Sequence, residues 1–161
     1  MKSATHSEDL SVIQVRSATP SDRAAWHAMR QALWPEEDKL SLGNEITQFF
    51  AGKLPLLLEV LLAVDERGRT LGFAELSIRT YAEGCTTERI AYLEGWYVLP
   101  DVRRVGVGGK LVAAAEQWGR AQGCTEFGSD ALLDNEVSAA AHRALGFEET
   151  EQIRCFRKLL S

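Results

Sequence analysis

The chain has 161 residues, of which 45% are hydrophobic and 25% are charged, and its net charge is −5. This length fits a single compact domain over residues 1–161, in which the polar residues 1–11 predict a flexible tail. The acidic balance argues against nucleic acid as a partner and is compatible with a cationic ligand.

Targeting and cysteine signals are both weak. Cys85, Cys124 and Cys155 are odd in number and contain no CxxC pair, so neither a disulfide framework nor a metal site is indicated. The N-terminus lacks the apolar segment of a secretory signal, and the longest apolar run, residues 54–64, is too short to cross a membrane. The sequence therefore predicts a cytoplasmic protein with reduced thiols and no membrane partner.

The first half of the chain predicts a strand, two helices and a β-hairpin. Thr19 and Pro20 are typical of a helix start, and Trp26, Met29 and Leu33 then repeat at helical spacing. In chain order, the predicted elements are a strand at 12–19, a helix from 20, a second helix at about 42–50, and hairpin strands at 56–64 and 70–78.

The second half predicts two strand–helix units and a final β-segment. Pro100 ends a strand, Gly123 and Gly146 end helices, and Asn135 begins the last helix. The order β-α-α-β-β-β-α-β-α-β indicates an α/β (α+β) fold. These elements are a strand at about 90–99, a helix at 107–123, a strand at about 124–132, a helix at 135–145, and one or two strands at 147–160.

The stretch "RRVGVGGK", residues 103–110 and below called the glycine loop, lies between a strand and a helix. This placement directs backbone N–H groups and a helix N-terminus at one point, which is typical of an anion site. A Walker loop is excluded because Leu111 follows Lys110, and the dinucleotide pattern is excluded because Leu111 stands where its third glycine belongs. What remains is R-x-x-G-x-G, from Arg103 through Gly106 to Gly108; the alternative is a glycine-rich turn without a ligand.

This spacing resembles the pyrophosphate-binding motif of the GNAT superfamily of N-acetyltransferases. The resemblance implies a GNAT fold, with a mixed central sheet of six to seven strands, about four flanking helices, and central parallel strands that splay apart. It also implies acetyl-CoA as co-substrate and no metal. The residues expected to bind acetyl-CoA are Tyr97, Val98, Leu99, Arg103, Arg104, Val105, Gly106, Val107, Gly108, Gly109, Lys110 and Asn135.

Blocks outside this motif resemble aminoglycoside 6'-N-acetyltransferases. The likeness implies direct transfer of an acetyl group to the 6'-amine of an aminoglycoside in a ternary complex, antibiotic resistance, and a homodimer. A GNAT enzyme acting on a polyamine, an amino sugar or a protein N-terminus is the alternative, and a non-catalytic acyl-CoA module or a nucleotide-binding domain are further ones. The matching blocks are "QALWP" at 31–35, "SIRTYAEGC" at 77–85, "YLEGWYVLP" at 92–100, "GSDA" at 128–131 and "ALGFEETE" at 144–151.

Three residues are candidates for catalysis. Glu94 lies in an apolar strand, where a carboxylate needs either a basic partner or a role in the amine pocket, and Gly95 beside it allows a local bulge. Asp130, at the end of the next strand, can accept hydrogen bonds from substrate ammonium groups and relay a proton through water; the alternative is a turn residue. His142 stands where many GNAT relatives have Tyr and can protonate the leaving thiolate, but it can equally be a packed residue.

The expected acceptor site combines carboxylates with aromatic walls, since the ligand is a polycation. Core or loop packing is the alternative for the aromatic members, a solvated surface position is the alternative for Glu88, and a plain helix cap is the alternative for Asn135. The residues expected to contact the substrate are Trp34, Tyr81, Glu88, Glu94, Asp130 and Glu151.

Overall fold

The computed structural model describes residues 12–160, and the predicted tail at 1–11 lies outside the described residues. Short 3-10 turns precede the first and third helices. Four α-helices are present in the described part, namely α1 Arg23–Leu33, α2 Lys39–Phe50, α3 Val107–Ala121 and α4 Glu136–Ala144. The strands are β1 Gln14–Ser17, β2 Glu59–Val64, β3 Thr70–Arg79, β4 Ile90–Val98 and β5 Glu126–Ser129.

The strands form one mixed sheet in the order β1-β2-β3-β4-β5. Neighbours are antiparallel except β4 and β5, which pair in parallel because α3 forms the crossover between them. The predicted α+β architecture with four helices is confirmed. The predicted strand number was too high, since the described residues form five strands rather than six to seven.

The missing strands are those predicted at residues 147–160. This segment has no helix or strand, and residues 151–160 are all exposed. Phe156 is 91% exposed, and Ile153, Leu159 and Leu160 are exposed as well, so the apolar residues beyond Phe147 meet no partner surface among the described residues. A β-like residue pattern forms a strand only where a neighbouring edge accepts it, and this segment does not lie on one.

The sheet separates two apolar cores. Because side chains alternate along a strand, β2 directs Val60 and Leu62 toward α1 and α2, and Leu61 and Ala63 toward α3. Trp26 anchors the first core, where Phe49 and Phe50 meet its ring edge-on at 5.3 and 5.9 Å. Burying large side chains of this kind contributes about 1.5–3 kcal/mol each. Both faces of the sheet are therefore covered by apolar side chains.

Two features of β4 create an opening in the sheet. Its pairing with β5 ends at Leu93 opposite Ser129, while β4 continues to Val98, so residues 94–98 have an open edge. On the β3 side, Glu75 faces Gly95 and Leu76 faces Leu93, which leaves Glu94 as an extra, bulged residue. The predicted splay and the predicted bulge next to Gly95 are both present, and they occur at the same point.

Candidate active site

The glycine loop builds an anion site from backbone groups. Gly106 has φ 93°, a left-handed conformation that suits glycine, and it directly precedes the first residue of α3. The first intrahelical bond is donated by the Lys110 N–H to the Gly106 carbonyl, at 3.0 Å. Since no side chain caps α3, the N–H groups at its start stay available to a ligand. A diphosphate fits this arrangement of donors and positive helix dipole.

The side chains of the loop differ in what they can offer. Arg103 donates from Nε to the Val98 carbonyl at 2.9 Å, which ties the loop to the end of β4. The backbone of Arg104 has φ 64°. Arg104, Val105 and Lys110 are all exposed, so the guanidinium of Arg104 can reach a phosphate. Val107 is only 1% exposed and packs in the core, and it can therefore contribute only its N–H.

Gly108 and Gly109 keep α3 close to its neighbours. A Cβ added at Gly108 would lie 2.8 Å from Cζ2 of Trp96, while one at Gly109 would lie 3.5 Å from Leu145 of the α4 end. Gly108 therefore has a packing reason to be glycine, because Trp96 occupies the space that a side chain would need.

The backbone of β4 presents hydrogen-bonding groups at the open edge. Leu99 donates its N–H to the Leu71 carbonyl at 2.9 Å, so this amide is not free for the cofactor, contrary to expectation. Because these directions alternate along a strand, Tyr97 also faces β3, whereas Val98 and Trp96 face the open edge. The Val98 carbonyl is already bonded to Arg103, which leaves its N–H and the groups of Trp96. Trp96 was missed because only alternation in the folded sheet distinguishes it from Tyr97.

Helix α4 brings Asn135 and His142 to the end of β5. The Asn135 side-chain oxygen accepts from the Ser138 N–H at 3.0 Å, so Asn135 is an N-cap whose side-chain NH2 remains available. His142 Nδ1 lies 2.8 Å from the Ser138 carbonyl, and Nε2 lies 2.8 Å from Ser129 Oγ. A carbonyl only accepts, so Nδ1 carries a proton. In the neutral ring Nε2 then accepts from the serine hydroxyl.

His142 is also packed between aromatic rings. Its ring centroid lies 5.4 Å from that of Trp96 and 5.1 Å from that of Phe147, both edge-on. The packed-residue alternative is therefore present in the structure. A role as general acid stays a prediction, and it requires the bond to Ser129 to be exchanged for one to the leaving thiolate.

On the α1 and α2 face of the sheet lies a cavity of about 630 Å³, called here the acceptor cavity. Its charged members are three glutamates and two arginines, so it carries one net negative charge if all are ionised. The lining residues are Arg30, Glu45, Leu54, Leu56, Leu57, Glu75, Ser77, Ile78, Arg79, Thr80, Tyr81 and Glu94.

Glu94 lines the acceptor cavity from the bulge of β4. Arg79 grips its carboxylate in a fork, Nε to Oε1 at 2.9 Å and Nη2 to Oε2 at 2.6 Å. The Ser77 hydroxyl also donates to Oε1. The salt-bridge alternative for Glu94 is thus present in the structure, and its role as a site residue stays a prediction for a carboxylate that lines the cavity. The side chain of Glu94 is 29% exposed and that of Arg79 is 40% exposed, so both reach solvent.

Asp130 follows β5 and is joined to Glu94 through two intervening side chains. Tyr92 donates its hydroxyl to Asp130 Oδ1 at 2.7 Å, and the Arg79 guanidinium lies 3.5 Å from the centroid of the Tyr92 ring. Burial, reinforced by the bond to Asp130, raises the pKa of Tyr92 well above its ordinary value. Tyr92 therefore stays protonated and holds Asp130. The sequence did not single out Tyr92, because it reads as an ordinary apolar strand residue.

Glu75 and Arg30 of the cavity wall belong to a buried polar cluster that also includes Trp26. Glu75, 3% exposed, accepts a hydrogen bond from Trp26 Nε1 at 2.8 Å, and its carboxylate forms an ion pair with Arg30, whose Nε lies 2.8 Å from Oε1. Arg30 also reaches Glu45 Oε2 at 2.7 Å. Burial raises the pKa of Glu75 to about 7, although Arg30 and Trp26 oppose that rise. None of these charged residues was predicted, since a carboxylate alternating with apolar residues in β3 gives no sign of its partner.

The aromatic and acidic residues predicted for the substrate are dispersed. Trp34, at the end of α1, packs on β4 so closely that a Cβ on Gly95 would lie 2.7 Å from Cη2 of its ring, which gives it a structural role. Tyr81 is 67% exposed and lines the acceptor cavity. Glu88 and Glu151 are exposed and lie outside the lining of that cavity. Contact between the last two and a substrate stays a prediction.

Between residues 12 and 160, no three His, Cys, Asp or Glu side chains come together in a way that could hold a metal ion. None of the helices in that range is both long and apolar enough to cross a membrane. The polar groups that converge are thus backbone N–H groups on one side of β4 and paired carboxylates on the other.

A strand that splays from its parallel neighbour, followed by a glycine loop and an uncapped helix, is the arrangement of an acyl-CoA-dependent transferase. Residues 24–147 match the Acetyltransferase (GNAT) family, and the chain belongs to that family. The resemblance drawn from the glycine loop is confirmed.

Individual relatives show which members of the family this chain resembles. The chain is 52% identical over 146 residues to the aminoglycoside N(6')-acetyltransferase type 1 of Klebsiella aerogenes, covering 91% of this chain and 96% of the relative. Among solved structures, aminoglycoside 6'-N-acetyltransferase AAC(6')-IG from Acinetobacter haemolyticus superposes with a TM-score of 0.84 at 38% identity, covering 92% and 99% of the two chains. AAC(6')-Iy in complex with the bisubstrate analog CoA-S-monomethyl-acetylneamine gives 0.84 at 33% identity, with the same coverage.

Proposed function

We propose that this chain is an acetyl-CoA-dependent N-acetyltransferase that acetylates the 6'-amine of aminoglycoside antibiotics by direct transfer in a ternary complex, and so confers resistance. The observation that carries the proposal is the bulge at Glu94. At this point the open edge of β4 on one side meets the acceptor cavity on the other. The similarity to aminoglycoside N(6')-acetyltransferases over 91% of the chain supports the choice of acceptor.

Acetyl-CoA, when bound, supplies a thioester carbonyl carbon as electrophile and a thiolate as leaving group. The N–H groups at the start of α3, with Arg104 and Lys110, would hold its diphosphate. Val98 and Trp96, at the open edge of β4, would hydrogen-bond the pantetheine arm. The Asn135 side-chain NH2 is a further donor on the facing helix. Residues 94–98 would thereby fix the position of the thioester relative to the acceptor cavity.

The acceptor amine must lose a proton before it attacks. Asp130 is the catalytic carboxylate in this proposal, because its Oδ2 has no hydrogen-bond partner among the described residues while Tyr92 fixes Oδ1. Asp130 accepts a hydrogen bond from the ammonium and passes the proton to water. The nitrogen would then bond to the acetyl carbon as the carbon–sulfur bond breaks. The leaving thiolate would take a proton from water or from Nε2 of His142 in its imidazolium form, since Nε2 of the neutral ring carries none. Glu94, Tyr81 and the other predicted contacts orient the polycation.

The test is an assay of thiol release with acetyl-CoA and a panel of aminoglycosides, half of which lack a 6'-amine. We expect release only with the members that carry that amine. Activity indifferent to the 6'-amine would overturn the regiochemistry. Activity with spermidine, amino sugars or peptide N-termini, and none with aminoglycosides, would move the enzyme to another amine within the same family.

We also propose a homodimer, in which a second copy covers the C-terminal segment 147–160. Two observations support it. β5 pairs only with β4 among the described strands, and a groove of about 730 Å³ runs along the side of β5, lined in part by Phe127 and Phe147. The segment beyond carries apolar side chains with no cover inside the chain, namely Ile153, Phe156, Leu159 and Leu160. In a symmetric dimer, the apolar segment of one copy can cover the open edge of β5 in the other copy.

Light scattering on the purified protein tests the dimer. The wild-type chain should have twice the monomer mass, and Phe156→Glu should shift it to the monomer because the new carboxylate cannot be buried at the interface. Lys53→Glu, which also adds a carboxylate at an exposed position but lies outside segment 147–160, is the control and should remain dimeric. A monomeric wild-type protein, or a dimeric Phe156→Glu variant, would refute the proposal.

The cellular setting proposed from the sequence is the cytoplasm, with neither nucleic acid nor membrane as partner. Three free cysteines fit a reducing compartment, and a net charge of −5 does not favour a polyanion. We further propose that the chain folds as one domain. Fractionation of producing cells and a single calorimetric unfolding transition are the respective checks.

A further inference from the structure

The acceptor cavity already contains a cation of its own, the guanidinium of Arg79. It lies at the end of β3 on the same strand face as Glu75 and Ser77, and its fork engages both oxygens of Glu94. Together with the Ser77 hydroxyl, it leaves Glu94 with no oxygen lacking a partner. A substrate ammonium that is to bind Glu94 must therefore compete with Arg79.

Arg79 also occupies the aromatic surface next to the carboxylate. Its guanidinium lies 3.5 Å from the centroid of the Tyr92 ring, and a carboxylate beside an aromatic face is the arrangement that binds organic cations. Glu94 raises the pKa of Arg79, with a smaller contribution from Asp130, so the side chain is charged at every relevant pH. In its ion pair with Glu94 and its contact with the Tyr92 ring, Arg79 occupies the positions that a protonated amino sugar would occupy.

The two arginines of the cavity differ in their freedom to move. The side chain of Arg30 is 6% exposed and fixed by Glu75 and Glu45 at its back. The side chain of Arg79 is 40% exposed, and its guanidinium contacts Glu94 of the cavity wall and the ring of Tyr92 behind it, with no buried ion pair among the described residues to fix it from the back. Because water reaches both side chains and screens their charges, an incoming cation can replace Arg79 at Glu94.

We propose that Arg79 is an internal competitor that sets the affinity of the enzyme for its acceptor: it holds Glu94 in the free enzyme and gives it up to an ammonium group of the bound polyamine or amino sugar. This inference rests on the proposed function in that it takes the acceptor cavity to be the amine site. Exchange of one cation for another keeps Glu94 neutralised throughout, so the carboxylate is never left uncompensated.

Removal of Arg79 should therefore tighten acceptor binding. Calorimetry with neamine, in the presence of CoA, should show the Kd of Arg79→Gln lowered about three- to tenfold, because Glu94 then accepts the ammonium without displacing a partner. The affinity for CoA should not change. Arg120→Gln, which breaks an exposed Arg–Glu pair on α3, is the matched control and should leave the neamine Kd unchanged.

The alternative role is that Arg79 holds Glu94 in position for the substrate. In that case Arg79→Gln would raise the neamine Kd, and either a rise or no change overturns the proposal. A second measurement uses the wild-type protein. The ¹⁵N resonance of Arg79 Nε, assigned by its loss in Arg79→Gln, should shift when neamine saturates the site. An Nε resonance unaffected by saturating neamine would equally refute the exchange.

Failure of the proposed function has a different signature. If the wild-type protein binds CoA but neither binds nor acetylates neamine, the aminoglycoside assignment fails. The same two measurements are then made with spermidine, a polyammonium ligand without sugar rings. A lower spermidine Kd in Arg79→Gln would support the competitor role for another amine, and a higher or equal one would overturn it.

Discussion

The two sides of β4 are built on different principles. On the α3 side, the groups offered to a ligand are consecutive backbone N–H donors from one short segment, the glycine loop. On the α1 and α2 side, the carboxylates come from separate elements and each has a side-chain partner: Glu75 with Arg30, and Glu94 with Arg79. The first side is a local structure that any chain with these glycines can form, whereas the second exists only when distant residues meet.

Among the variants that test this comparison, a substitution of Asp130 should have the largest effect, and the effect should be on turnover. Asp130→Asn keeps the shape and the bond to Tyr92 but removes the charge that accepts the amine proton, so we expect turnover to fall about a hundredfold or more. The Kd for CoA, whose diphosphate is held at the glycine loop in this proposal, should remain unchanged. Steady-state kinetics and calorimetry measure the two quantities. Asp134→Asn in the same loop is the control, and equal losses of turnover and CoA affinity would refute the role of Asp130.

Glu75 gives the next largest effect, on stability rather than on catalysis. Its pKa is raised to about 7 in the folded state by burial, above the ordinary value of 4.5, so folding favours its protonated form. The free energy of unfolding should therefore decrease as pH rises from about 4.5 to about 7, by on the order of 3 kcal/mol from this group.

Urea titrations at several pH values measure that slope. Glu75→Gln should flatten it, because the amide does not ionise, while Glu116→Gln on the surface of α3 should preserve it. A stability of the wild-type protein that rises over the same pH window, with no difference from Glu75→Gln, would show that Arg30 keeps Glu75 ionised throughout.

A substitution of Gly106 tests the α3 side of β4, and its expected effect on CoA affinity is smaller. Gly106→Ala places a Cβ at φ 93°, which costs about 1–2 kcal/mol of stability, and it reorients the N–H groups at the start of α3. We expect the Kd for CoA to rise about tenfold, equivalent to about 1.4 kcal/mol. The KM for the acceptor should not change.

Gly123→Ala is the matched control for this variant. Gly123 also has a positive φ, 79°, and open space around it, but it lies at the opposite end of α3. The two variants should lose similar stability in thermal unfolding, and only Gly106→Ala should lose CoA affinity. If both lose affinity equally, the glycine loop acts through stability alone.

Sequence patterns predicted most of the elements because the signals were local. Thr19 and Asp22 form the capping box before α1, Asn135 caps α4, and Gly123 ends α3, each decided by neighbours a few residues away. The predicted strands at 147–160 were wrong for the same reason. A strand needs a partner edge, and no local pattern states whether one is available.

The site residues also fall into those with a local sequence signal and those that depend on distant partners. The glycine loop could be found by its spacing, and the likeness of "GSDA" drew attention to Asp130. The partners that give these residues their properties could not be found. Tyr92 and Arg79 read as ordinary strand residues. That Leu99 faces β3 and Trp96 faces the open edge becomes clear only when the Leu99 N–H is seen to bond to the Leu71 carbonyl.

The sequence by itself determined that α3 begins with free N–H groups, that β4 ends near a bulge, and that the family is GNAT. These properties follow from backbone preferences of glycine, proline and capping residues, which act over a few positions. Only the tertiary structure decided that Glu94 is shared with Arg79, that Asp130 is held by Tyr92, and that Glu75 is buried on Arg30. A charge acquires its partner and its pKa from residues brought within 3 Å by folding, and sequence separation does not encode that distance.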